Sequence, residues 1–398
     1  MAALTTTDFG AVWTVHNLAA AVPLLSPVTL SCGSSLDCLM AGISNDTGAP
    51  VALSTTDGGD AWTSSTLPSD LGSVGVVSCP SATTCLVPAS GSVDGQARML
   101  LTSDLGSKWT DVVFPTPFTS FSAVSCYTTS DCVAAGYITT PFGVTVGVFY
   151  YTTNGGTSWT DEENSDTPQS VACGPGGLCA AALGFSGEAV LVSTTGGESW
   201  SSVALPALTS STGPLESETL TNLSCPSSTV CVGVGTAEFG EGVFASAVYG
   251  VDYSTTDSGA VWRGGLLPIG VTPDSISCGS STDCVTVGYG PTFAGNDGTA
   301  FVTTDGGAVW SQTALPVPVA NLNAVSCAGS SCTAVGDNFA GEEGEPVILD
   351  STDGGLAWAS ESIPSGVSSL TEVSCPSASA CVAAGEGPTG NDLILNTG

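Results

Sequence analysis

Apart from carboxylates and cysteines, this chain has few residues able to do acid–base, metal or redox chemistry. It holds one histidine, His16, and three bases, Arg98, Lys108 and Arg263, against 36 Asp plus Glu. A single imidazole leaves no second His for a His–metal–His arrangement. What remains for acid–base work is pairs of carboxylates, as in glycoside hydrolysis. Candidates are Glu162 and Glu163 after Trp159, Glu216 and Glu218 in an extended segment after Trp200, and Glu238 beyond Cys231. Clustered carboxylates and carbonyls could also hold Ca²⁺, but no EF-hand-like frame is present. That reading is weak, and no other metal or cofactor is implied. Solvated loop acids that keep the chain soluble are the plainer reading.

The charge balance narrows the partners. The formal net charge is −33, yet only 10% of the 398 residues are charged, against roughly 25% in typical soluble domains. A phosphate-tracking surface needs clustered Lys and Arg, so nucleic acid is not a partner this composition suits. Anionic membranes are disfavoured for the same reason. Carboxylates titrate near ~4, so at low pH most would be neutral and three bases would leave only a small positive charge. A chain rich in Lys and Arg would repel itself there. The balance therefore points to a secreted protein of an acidic medium, with an ordinary acidic secreted protein as the bland alternative.

Sixteen cysteines fall in eight close pairs: Cys32 and Cys38, Cys79 and Cys85, Cys126 and Cys132, Cys173 and Cys179, Cys225 and Cys231, Cys278 and Cys284, Cys327 and Cys332, Cys375 and Cys381. Two Cys facing each other across a short hairpin can bridge. Zinc sites want tight knuckles converging in one place, whereas these pairs are spread evenly. Eight hairpin disulfides and an oxidising compartment are expected. No stretch approaches the ~20 apolar residues of a membrane helix, so membrane insertion is not expected. No export signal is visible at Met1–Leu4. It is expected to have been removed, or the segment to come from a longer chain.

All eight tryptophans close one repeated motif, with its third position at Asp8, Asp57, Asp104, Asn154, Thr195, Asp257, Asp305 and Asp353. Copies such as TTDGGDAW (55–62) and STDGGLAW (351–358) define the frame [S/T]-[S/T]-[D/N/T]-x-G-x-x-W. The polar third residue can bond the backbone N–H groups ahead of it, the Gly permits positive φ, and Trp supplies an apolar anchor. Asn154 and Thr195 can close the same turn but could not transfer protons, so the motif is structural. It resembles the Asp box of the bacterial neuraminidase repeat superfamily over the whole chain, and that resemblance implies a sialidase-like β-propeller. Sialidases of that superfamily grip their substrate with three arginines. This chain has only Arg98 and Arg263 plus Lys108, so the resemblance does not extend to sialidase activity.

The elements follow from the spacing. First cysteines recur every 47–53 residues, and each unit reads as four short strands, A to D, the signature of propeller blades. The expectation is one all-β domain over 1–398: a single eight-bladed propeller of four-stranded antiparallel blades, with residues 1–20 completing the last. Seven blades with an ejected unit is the alternative. Disulfide hairpins and box turns should share one face. On the other face, the fifth residue after each second Cys varies between copies, from Tyr137 and Tyr289 to Asp337 and Glu386, with Phe142 and Phe293 as further aromatics. A fixed scaffold with variable residues is a binding surface. The reading is thus a secreted or cell-surface propeller, a binding or structural module without catalysis, whose partners are a glycan, a protein or a second copy. The alternative is a glycoside hydrolase using the loop carboxylates.

Overall fold

A computed structural model describes residues 2–5, 13–17, 25–44, 47–92, 95–112, 114, 120–139, 142–164, 166–183, 189–240, 247–292, 295–338, 345–363, 367–387 and 391–396. Every described element is a strand or turn. Small, β-branched and aromatic residues dominate, and they fit a pleated, packed surface. In blade 3, for example, Cys132–Thr139 and Thr145–Thr152 carry nearly continuous buried runs. Middle strands pressed between two neighbouring sheets read this way, rather than alternating. Outer strands such as Thr63–Thr66 are exposed.

The described residues form seven four-stranded antiparallel sheets, each with its strands in sequence order. Blade 1 comprises Leu25–Cys32, Cys38–Ser44, Pro50–Thr55 and Thr63–Thr66. Blades 2, 3 and 4 span 71–112, 120–164 and 168–204. Blade 5 comprises Leu215–Ser224, Cys231–Phe239, Ala247–Thr255 and Arg263–Ile269, and blade 6 Thr272–Cys278, Cys284–Thr292, Gly295–Thr303 and Ser311–Gln312. Blade 7 comprises Asn321–Ala328, Ser331–Asp337, Pro346–Ser351 and Ala359–Ser360.

Among the described residues the expected eighth four-stranded blade is not formed. The last repeat makes a three-stranded sheet of Ser369–Ser377, Ala380–Gly387 and Asn391–Asn396. Among the described residues of 1–20 no ladder to it is made: Thr14–Asn17 pairs instead with Ala2–Thr5 in a hairpin of its own. A partner a few residues away costs far less loop-closure entropy than one at the other end of the chain. The last repeat is not set aside either. Trp62 of blade 1 packs on its Val382 and Ala384, and Trp13 is buried among Leu370, Ala383, Ala324 and Val335.

Every cysteine is in a disulfide. Cys32 bonds Cys38, Cys79 bonds Cys85, Cys126 bonds Cys132, and Cys173 bonds Cys179. Cys225 bonds Cys231, Cys278 bonds Cys284, Cys327 bonds Cys332, and Cys375 bonds Cys381. No cysteine is free, as suits an oxidising compartment. The second cysteine does not open its strand in every unit. Cys332 and Cys381 each stand one residue inside Ser331–Asp337 and Ala380–Gly387, whereas Cys85 and Cys179 begin theirs. In the last two units a backbone rung outside the cysteines, Ala328 with Ser331 and Ser377 with Ala380, extends the hairpin past the bridge.

In each of the seven blades the box turn docks on the disulfide hairpin through a backbone hydrogen bond, such as Gly58 N–H to Leu36 O at 2.9 Å and Gly354 N–H to Ser330 O at 2.8 Å. Those two features therefore share one face. Within the turn of blade 1, the Thr55 hydroxyl donates to Asp57 at 2.7 Å and accepts from Gly59 N–H at 2.9 Å, while Asp57 accepts from Ala61 N–H at 2.9 Å. Asn154 and Thr195 make the equivalent bonds to Ser158 and Ser199 N–H. The box glycine is required twice over. Gly259 has φ 84°, and a Cβ there would sit 2.4 Å from Val192 of the preceding blade.

Candidate functional site

The strand register fixes one ring of positions at the end of the inner hairpins away from the disulfides. Ile43 pairs with Ser26, Ser90 with Ser73, Tyr137 with Ser120, Thr236 with Thr219, Tyr289 with Thr272, Asp337 with Asn321 and Glu386 with Ser369. Each pair occupies the same rung of its blade. Tyr137, Tyr289 and Asp337 are half-buried, and Phe142, in the adjoining loop of blade 3, is 94% exposed. The side chain of Glu386 and all of Phe293 lie outside the described residues.

Around this rung the inner strands of four neighbouring units share a polar network. Asn222 Nδ2 of blade 5 donates to Asp274 O of blade 6 at 3.0 Å. In blade 7, Asn321 Nδ2 donates to Asn323 Oδ1 at 2.6 Å. Asn323 Nδ2 in turn donates to Leu370 O of the last sheet at 2.6 Å and to Asp337 Oδ2 at 3.3 Å. Burial raises both Asp274 and Asp337 above the usual carboxylate range; hydrogen bonds from Asn321 and Asn323 oppose the shift. Burial likewise pushes Glu372, on Ser369–Ser377, up to about 7. These groups can accept or donate hydrogen bonds according to pH, and they sit where the sheets meet.

The acid–base candidates are placed apart. Glu162 is on the outer strand of blade 3, opposite Phe149, and Glu163 is opposite Val148 with its side chain outside the described residues. Glu216, Glu218 and Glu238 are on the inner hairpin of blade 5, with blade 4 between the two groups. Glu218 pairs with Ala237, and Glu238 with Ser217, so their side chains leave opposite faces of the sheet. Glu218 bonds the Tyr253 hydroxyl, whose pKa is raised chiefly by burial. Among the described residues no three His, Cys, Asp or Glu side chains group as a metal site. No described helix is long and apolar enough to cross a membrane.

Sequence reasoning missed three buried carboxyls. Asp252 is 6% exposed and raised by burial to about 7, the nearby Trp310 indole N–H pulling the other way. Asp350, bonded by the Thr333 hydroxyl, is raised by burial to about 6. Glu372 is the third. The signal was a lone acid inside an apolar strand run, as in GVDY, VILDS and TEVSC.

No family model matches the chain, and no curated protein matches it. Among solved structures, the fold is similar to YCF48 bound to D1 peptide, at 16% identity over 91% of this chain and 98% of that one, TM-score 0.46. It is also similar to YCF48 from Cyanidioschyzon merolae, at 15% identity over 79% and 90%, TM-score 0.47. A third likeness is to the GH74 xyloglucanase from Xanthomonas campestris, at 12% identity over 99% and 70%, TM-score 0.45. The β-propeller rests on the sheets described above, not on these likenesses.

Proposed function

We propose that this chain is a secreted or cell-surface propeller that serves as a binding or structural module, adapted to an acidic extracellular medium and without catalysis. The observation that carries the reading is the rung opposite the disulfides, where one backbone register presents Ile43, Ser90, Tyr137, Thr236, Tyr289 and Asp337 side by side. Constant backbone with changing side chains is how a rigid scaffold builds recognition. The hydrogen bonding of the box turns supports reading the repeats as Asp boxes. The ligand is a glycan, a surface protein or a second copy of the chain.

The test is a glycan array and a cell-surface protein screen probed with the labelled propeller at about pH 3–5, where carboxylates titrate. Binding lost in Tyr137→Ala or Asp337→Asn supports the reading; binding indifferent to every rung substitution sinks it. A second reading, a glycoside hydrolase, is favoured by the raised carboxyls of Asp274, Asp337 and Glu372 on neighbouring inner strands, since a general acid needs such a shift. Polysaccharide turnover abolished by Glu372→Gln would establish it in place of the first.

A further inference from the structure

We propose that the cleft between blades 5 and 6 is a binding site for a small apolar zwitterion, an amino acid or dipeptide, with its ammonium on Asp252 and its carboxylate on Arg263. The site lies on the outer strands and is separate from the rung, so it stands independently of the function proposed above.

One glycine opens the space. Three residues after the box Trp, Ser65 and Thr313 bond the indole N–H of the next tryptophan, Trp109 at 3.3 Å and Trp358 at 3.1 Å. The same position in blade 5 is Gly265, so Trp310 of blade 6 receives no such hydroxyl. A Cβ at Gly265 would sit 2.6 Å from Asp252 Oδ1, so the glycine makes room for that carboxyl, and beside it is a cleft of about 560 Å³, lined by Asp252, Arg263, Gly265, Phe301, Trp310 and Gln312 among others. Its size falls in the range of small-molecule sites.

The register aims the charges. Asp252 is cross-strand from Gly265, and Ser254 from Arg263. Arg263 and Gly265 are two residues apart on one strand, so Asp252 and Arg263 emerge on the same face, about 7 Å apart along the strand. Asp252 is 6% exposed; the Trp310 indole N–H is directed at its carboxyl, and no base among the described residues pairs with it. Arg98 is held by Asp70 and Asp111, whereas Arg263 makes no ion pair among the described residues. The two opposite charges share one cleft without meeting.

This arrangement chooses between ligand classes. A simple cation would satisfy Asp252 but face the guanidinium; a simple anion would face Asp252 and a chain of net charge −33. A neutral polyol would leave both charges uncompensated and the aromatic walls unused. A zwitterion whose charges are one or two residues apart satisfies both, and its apolar side chain packs on Phe301 and Trp310.

The test is titration calorimetry of the whole protein at neutral pH with L-phenylalanine and with L-leucyl-L-leucine. The expected result is saturable binding, with Kd about 1 mM or tighter, at least tenfold weaker in Asp252→Asn and in Arg263→Gln. N-acetyl-leucyl-leucine amide, which lacks both charges, should not bind. Asp252→Asn keeps the side-chain shape, and a cooperative thermal unfolding transition, whatever its midpoint, will show that each variant is folded. Three results would each overturn the proposal: no saturable heat at about 20 mM zwitterion, equal binding by Asp252→Asn, or binding of choline, acetate or glucose in preference to the dipeptide.

Discussion

Ser374 Oγ accepts a hydrogen bond from Cys32 N–H at 3.3 Å, joining residues at opposite ends of the chain. The same latch recurs between successive units: Cys79 N–H to Ser31 at 3.1 Å, Cys173 to Ser125 at 3.0 Å, Cys278 to Ser224 at 3.3 Å, Cys327 to Ser277 at 2.9 Å and Cys375 to Ser326 at 3.0 Å. The serine before the first cysteine of one unit thus satisfies the backbone of the first cysteine in the next. The last latch in the series ties the final repeat back to blade 1.

Ser374→Ala should lower unfolding free energy by about 1 kcal/mol, the net worth of one hydrogen bond with its donor left unmet. Blade 4 carries Ala172 where the other units have Ser, so Ala172→Ser should raise stability by up to about 1 kcal/mol through a new latch to Cys225. Urea midpoints of the two variants against the parent decide both. Equal midpoints would mean that the latches contribute nothing measurable.

Acid should stabilise this fold. Asp252 and Glu372 titrate at about 7 and Asp350 at about 6 in the folded chain, against roughly 4 when unfolded. Between those values the folded state holds more protons, so stability falls as pH rises from about 4 to about 7. The three shifts together are worth on the order of 10 kcal/mol. Below the ordinary carboxylate range the trend reverses. Asp104 and Asp257, held low by the backbone N–H groups of Lys108 and Val261, become protonated there and their contribution is lost. Urea midpoints measured across this range should peak near pH 4, and Asp252→Asn should flatten the slope on the neutral side.

The box turn should tolerate loss of charge but not loss of the hydroxyl. Asp305→Asn keeps the acceptor for Val309 N–H, as Asn154 does naturally, and should change stability by less than about 0.5 kcal/mol. Thr303→Ala removes the bonds to Asp305 and Gly307 N–H and should cost about 1–2 kcal/mol. Comparable losses in the two variants would show that charge, not hydrogen-bond geometry, holds the turn.

Leu105 stands at φ 51° where five other boxes place a glycine, and it is 5% exposed in the core between blades 1 and 2. Gly there would relieve about 1–2 kcal/mol of left-handed strain, but it would forfeit about 2–5 kcal/mol of buried leucine. Burial wins. Leu105→Gly should therefore destabilise by about 1–3 kcal/mol, and a thermal shift upward would show that the strain outweighs the burial.

The repeat was legible because each unit solves its local problem with local residues. The C-x5-C frame fixes a hairpin, and Thr55, Asp57 and Gly59 close a turn within five residues. Spacing and residue type therefore suffice to place them. Relations between units leave no such local trace. Register alone showed that Asn321, Asn323 and Asp337 meet Leu370, and that Gly265 leaves a cleft beside Asp252. The blade count failed for the same reason. Sequence supplied a Trp and a strand to finish the last repeat, but whether Thr14–Asn17 pairs with Ala2–Thr5 or with Asn391–Asn396 is a competition between edges. Trp13 took its place in the core because its ring packs on Leu370, Ala383, Ala324 and Val335 beside the Asp350 carboxyl. Thr14–Asn17 pairs with Ala2–Thr5 rather than with the last sheet, the partner close in sequence costing less loop-closure entropy.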